Sequence, residues 1–147
     1  MSAFAETIAV VAGLLVVAVL IPTYLRLRQR DVLDTFVARR RGSARLVTRA
    51  EYVEGPAMIP VALALTETTF HYENADLEAS FDLDRIDEIE YDDDLATGRT
   101  HRGDCRVLRV RSHGAAFEFL LDAADCSKWT AALPPRSYGN FQTAHAV

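Results

Sequence analysis

Nineteen consecutive residues, Thr7 to Leu25, carry no formal charge, and eleven of them are Leu, Ile or Val. They lie between Glu6 and three arginines, Arg26, Arg28 and Arg30. A helix of that length covers about 28 Å, close to a hydrocarbon core of about 30 Å, and no charged stripe breaks it. The expectation is a single N-terminal transmembrane helix, span about 7–25, within an anchor formed by residues 1–25. Met1 to Glu6 holds no Lys or Arg and no small-residue cleavage site follows the run, so it reads as an uncleaved signal anchor. Arginines follow the span and none precedes it. That asymmetry points to a single-pass protein of the inner (cytoplasmic) membrane, with the N-terminus outside and the C-terminal domain cytoplasmic.

Charge is segregated along the chain. Residues 26–49 hold eight Arg against two Asp, whereas residues 50–97 hold fourteen acids against one Arg. Leu27, Val32, Leu33, Phe36 and Val37 share a helical stripe, so a basic juxtamembrane helix is expected over 26–43, broken at Gly42-Ser43. Its membrane-proximal bases are Arg26, Arg28, Arg30, Arg39, Arg40 and Arg41. If the helix projects straight, Arg39 to Arg41 stand about 20 Å from Arg26; only a helix lying flat brings both clusters to lipid. The acidic domain beyond argues against a nucleic-acid partner.

From Ala44 the apolar period changes to two, and one domain is expected over 44–134. Seven strands can be read. The first runs from Ala44 to Val53 and precedes the break Glu54-Gly55-Pro56. Val61 to Thr66 and Thr69 to Glu73 form a hairpin, Ala79 to Leu83 a fourth strand, and Ile86 to Tyr91 a fifth. After a polar loop, Asp92 to Asp104, Cys105 to Arg111 and Ala115 to Leu121 flank the turn Ser112-His113-Gly114. One helix follows, capped by Asp122 and ended by Pro134-Pro135, with Trp129 on its apolar face. Phe70, Phe81, Phe117 and Phe119 join Trp129 as the expected structural core. Residues 135–147 show no apolar periodicity and are expected to form a mobile tail.

Chemistry-bearing patterns are few. Cys105 and Cys126 lie twenty-one residues apart without a metal-binding spacing, and His71, His101, His113 and His145 do not cluster, so buried free thiols and no metal are expected. Asp92-Asp93-Asp94 lacks the spaced ligand loop of a calcium site and reads as a solvated turn. Ser112-His113 has the letters of a nucleophile and base, but neighbours in a tight turn cannot form a triad. No glycine-rich phosphate loop is present. The reading is a non-enzyme without cofactors.

Ala62-Leu63-Ala64-Leu65-Thr66, Phe70-His71-Tyr72-Glu73, Phe81-Asp82-Leu83-Asp84-Arg85-Ile86, Phe117-Glu118-Phe119-Leu120-Leu121-Asp122 and Lys128-Trp129 together resemble the pleckstrin-homology-like superfold, in its small bacterial and GRAM-like members. The resemblance covers about residues 44–134. It implies a mainly β fold: a seven-stranded antiparallel partly open barrel capped by one C-terminal α-helix, here behind the N-terminal anchor. Lipid-binding members grip headgroup phosphates with bases around the first inter-strand loop, and Glu54 to Pro60 offers none, so specific phosphoinositide binding is not expected. The resemblance implies a membrane-anchored adaptor or self-association module that binds a protein partner or its own copies. The candidate interaction face holds Asp82, Asp84, Asp87, Asp92, Asp93 and Asp94, with the loop Leu95 to Gly103 beside it. The alternative is a sensor of anionic lipids acting through the juxtamembrane arginines.

Overall fold

The computed structural model describes residues 2–99, 101 and 103–137, with side chains throughout except those of 2–15, 25–27, 29 and 30. The chain is mainly β. Helix α1 (Ser2–Arg40) leads into β1 (Leu46–Glu54), β2 (Ala57–Leu65), β3 (Thr69–Glu73) and β4 (Glu78–Asp82). A short 3-10 turn (Leu83–Arg85) precedes β5 (Ile86–Asp92), β6 (Cys105–Ser112), β7 (Ala115–Asp122), α2 (Ala123–Ala132) and β8 (Arg136–Ser137). All pairings are antiparallel in one curled sheet of order β4-β3-β2-β1-β7-β6-β5-β8.

The expected membrane anchor is overturned. Among the described residues no helix is long and apolar enough to cross a membrane. Of the run at 7–25, the described side chains are Val16 to Tyr24, and all nine are exposed. The rest of the run lies outside the described side chains. The helix also continues unbroken to Arg40 and packs there on the domain. The transmembrane and signal-anchor reading, and the single-pass inner-membrane placement built on it, are withdrawn with the anchor.

Two further corrections concern the sheet. The sheet has eight strands where seven were expected, because Arg136 and Ser137 pair with Ile89 and Glu88. Two residues cannot display a period, so β8 had no signature. The first inter-strand loop, expected over Glu54 to Pro60, shrinks to Gly55-Pro56: Ala57, Met58, Ile59 and Pro60 pair with Glu54, Val53, Tyr52 and Glu51. Gly55 takes the left-handed φ of 54° that a tight hairpin needs and a side chain would resist. Pro60 lies beyond the end of β3, whose pairing begins at Ala62, so its missing N–H costs no bond on that side. The expected mobile tail falls, from residue 138 on, outside the described residues.

The concave face is filled. Helix α2 lays Trp129 and Cys126 across it, and Trp129, fully buried, meets Phe70 edge-on at 5.6 Å between ring centroids. Phe70 in turn touches Phe119 at 5.5 Å and Phe81 at 6.1 Å, and Phe81 meets Phe117 at 4.7 Å, so the five expected core aromatics form one continuous group. Edge and tilted contacts at these spacings favour aromatic pairs beyond their burial alone. Asp122 stands at the start of α2, but its carboxylate makes no capping bond; the Ala123 N–H goes to the Asp104 carbonyl at 3.1 Å instead.

The convex face carries two separate covers. Leu33 and Phe36 of α1 bury themselves against Ala62 and Ala64 of β2, with Val37, Ala44 and Val47 beside them. Small alanines on the strand let the helix approach closely. Across β1, β6 and β7, the loop after β5 folds back and buries Leu95 against Val53, Val107 and Leu120.

Candidate functional site

The acids grouped as one candidate face fall into two. Asp82 ends β4, Asp84 lies in the 3-10 turn and Asp87 near the start of β5. Asp92 ends β5 and Asp93 and Asp94 follow it, about 20 Å away at strand rise. The period-two alternation along β5 was legible, but a single strand long enough to hold its two acidic groups apart is a property of the fold.

In the distal group, the Asp92 and Asp93 carboxylates are engaged by the fold. Asp92 Oδ1 accepts the backbone N–H groups of Asp93, at 2.7 Å, and Asp94, and these two bonds, with the Arg109 guanidinium, hold its carboxyl below the ordinary carboxylate range. Asp93 pairs with Arg106, and its carbonyl lies 2.6 Å from His101 Nε2. Arg109 is the hub. Its guanidinium meets Glu90 at 2.8 Å and Glu118 at 2.9 Å, and bonds the Asp94 carbonyl at 3.3 Å. Burial acts to lower the Arg109 pKa, but the bonds it donates to Glu90 and Glu118, and their charges, outweigh burial and raise it. Glu118 also accepts the Ala96 N–H at 2.9 Å, so this ion cluster pins the loop that Leu95 anchors. Arg109 and Glu118 were not singled out from sequence. The signal was there in the alternation: Glu90, Arg109 and Glu118 are register neighbours on adjoining strands, with charge of alternating sign.

The Leu95 to Gly103 loop is therefore partly a structural cover, with residues 100 and 102 outside the described residues. Arg99 Nη1 donates to the Gly55 carbonyl at 3.2 Å, bringing one base to a hairpin turn that holds none of its own. A cleft of about 530 Å³ lies beside it, lined by Asp93, Asp94, His101, Asp104, Cys105 and Arg106 among others. Among the described residues no three His, Cys, Asp or Glu side chains come together as a metal-holding group. Cys105 and Cys126 are both buried, and the two form no disulfide with each other.

Arg39 and Arg40, at the end of α1, face the domain. Arg39 Nη2 donates to Glu73 Oε1 at 2.7 Å, and Arg40 lies 4.0 Å from Glu73 and 3.8 Å from Glu78. Both guanidinium groups stand 5.4 Å from the Phe36 ring centroid. Asp34 pairs with Arg49 of β1. Arg28 and Arg41 are exposed, and the side chains of Arg26 and Arg30 lie outside the described ones.

Ser112 and His113 sit in the expected hairpin turn, with φ of 51° at His113 and 78° at Gly114. Ser112 Oγ is buried and donates to the Arg85 carbonyl at 2.9 Å, with His113 Nδ1 also at 2.9 Å. The hydroxyl ties the β6 end to the 3-10 turn.

The proximal acidic group, like Asp93 and Asp94, is exposed. Glu67, Thr68, Asp82, Leu83, Asp84 and Arg85 line an open notch of about 410 Å³ where β4 ends. Asp82 pairs with Arg85 at 3.5 Å and Glu67 with Arg45 at 3.6 Å, both exposed. Asp84 and Asp87 form no ion pair among the described residues. No protein-family model, no curated protein and no solved structure matches this chain.

Proposed function

We propose that the chain is a non-enzymatic recognition module, built on a pleckstrin-homology-like scaffold, that binds a protein partner or a second copy of itself. The observation that carries this reading is the coverage of both sheet faces. The concave side is occupied by Trp129, Phe70 and Phe119, and the convex side by α1 and the Leu95 loop. Recognition is thereby directed to the strand edges and the acidic rim, where backbone groups and carboxylates meet solvent. The strand order from β4 to β5, closed by α2, supports the scaffold the resemblance implies. Engagement of Arg39 and Arg40 by Glu73 and Glu78 favours a protein partner over anionic lipid, because those two bases already have acidic partners within the domain.

Photo-cross-linking of the full chain in its native extract, with the probe placed at Asp84, tests the reading. A cross-link to a protein, or to another copy, supports it. A chain that stays monomeric and uncross-linked, with the same probe reacting in a control complex, overturns it.

A further inference from the structure

The two ends of the sheet are treated differently. At one end β8 lies against β5 and covers it at Glu88 and Ile89. At the other end β4 pairs with β3 on one side, and no strand among the described residues pairs with its other side. An uncovered edge is a template for another chain, which proteins ordinarily blunt.

The register says which groups that edge presents. The Asn74 N–H donates to the Leu77 carbonyl at 2.7 Å, and the Leu83 N–H donates to the Thr68 carbonyl at 2.8 Å. Both bonds belong to the β3–β4 ladder and both use odd-numbered residues of the β4 segment. In an antiparallel pair inward and outward backbone groups alternate, so Glu78, Ser80 and Asp82 turn their N–H and C=O groups to the open edge. Those three residues are also the exposed ones, while Ala79 and Phe81 between them are half-buried. One stretch thus offers a row of backbone donors and acceptors flanked by two carboxylates four residues apart, each with one basic neighbour, Arg40 or Arg85, and each still more than half exposed.

Resting on the recognition-module reading above, we propose that the free edge of β4 receives an extended segment of a partner protein as a ninth strand. That segment carries Lys or Arg at two positions four residues apart, a small polar residue midway, and apolar residues between. Main-chain bonds supply the docking and alternate side chains the choice of partner. Opposite-charge pairs directly across a ladder stabilise it, and like charges there oppose it. A second copy is disfavoured on that ground: pairing β4 with itself about Ser80 sets Glu78 of one chain against Asp82 of the other. The notch beside Asp82, with Glu67 and Asp84 on its walls, accepts the longer basic side chain.

The test uses the full chain and two fluorescein-labelled peptides, Thr-Lys-Val-Ser-Val-Lys-Thr and its Glu-for-Lys counterpart, read by anisotropy. The Lys peptide is expected to bind saturably and to weaken as salt rises; the Glu peptide is expected not to bind. S80P removes an outward N–H and leaves the β3–β4 ladder intact, so it should melt within a few degrees of the parent and bind at least ten-fold more weakly. Should S80P fail to fold, E78K/D82K serves instead and is expected to exchange the Lys peptide for the Glu peptide. Absence of saturable Lys-peptide binding by the parent, or undiminished binding by folded S80P, overturns the proposal. A dimer of the parent that S80P abolishes overturns it in favour of a second copy. A cross-linked partner that S80P retains overturns the β4 assignment while leaving the recognition reading intact; a parent with no partner at all removes that reading itself.

Discussion

Arg39 on α1 and Glu73 on β3, 34 residues apart in sequence, meet at 2.7 Å and tie the helix to the sheet it covers. The ion pair is not what holds the helix, since the Arg39 side chain is 63% exposed and such pairs contribute at most about 1 kcal/mol. Phe36, buried against Ala62 and Ala64, supplies the anchoring contact.

Phe36→Ala should therefore cost about 3 kcal/mol, and Arg39→Ala less than about 1 kcal/mol. Urea unfolding measures both. Limited proteolysis between Arg41 and Arg45 should speed up in the Phe36 variant alone; equal cleavage in both variants would show that the helix is held by charge.

Trp129→Ala should cost about 3 to 5 kcal/mol, a large share of the stability of a domain this size. Among the described residues its buried indole Nε1 has no hydrogen-bond partner, so Trp129→Phe is expected to forfeit packing and no bond. That variant should lose about 1 to 2 kcal/mol, at the low end for a volume change in a core. A Phe variant as damaged as the Ala variant would mean that the indole bonds something in solution.

Removing Arg109 strands Glu118, whose side chain is only 10% exposed, as a carboxylate without its counter-charge. Arg109→Ala should cost about 3 to 5 kcal/mol, and adding Glu118→Gln should restore at least about 1 kcal/mol while keeping an acceptor for the Ala96 N–H. A double-mutant cycle from chemical denaturation gives the coupling directly. Additive losses would refute the hub.

His71 is held below its ordinary pKa of 6.5 by burial first and by Arg40 second, with Glu78 opposing. The folded protein therefore resists a proton that the unfolded chain accepts, so stability is fully present above pH 6.5 and is lost as pH falls from there through the depressed folded value. Melting temperatures from pH 8 to pH 5 should fall for the parent and fall less for His71→Gln. Parallel curves would place the acid sensitivity elsewhere.

Much of the sheet was legible because its strands obey a period of two, and Trp129 because it stands at helical spacing on an otherwise small-residue helix. Other features had no local signal. The Gly55-Pro56 turn hid because Ala57 to Pro60 holds a proline and few β-branched residues; only pairing with β1 makes it strand. The Leu95 cover depends on Arg109 and Glu118, which are far from it in sequence and near it only across three strands. The apolar run at 7–25 pointed to an anchor because hydropathy reads a segment in isolation. Its C-terminal continuation, Leu33 and Phe36, has a partner surface in Ala62 and Ala64 that no window on the helix contains. The free edge of β4 was invisible for the same reason: an unpaired strand and a paired one have the same letters.

Helix α1 runs 39 residues without interruption and is seated on the sheet at its C-terminal end. A module on a flexible tether samples every heading and finds a target by chance alignment. Here the C-terminal stretch of the helix, beyond Pro22, is joined to the domain by packing as well as by the chain, so a tilt of that stretch turns β4 through the same angle. Over that stretch the helix is a lever arm, and its direction and that of the acidic edge change together.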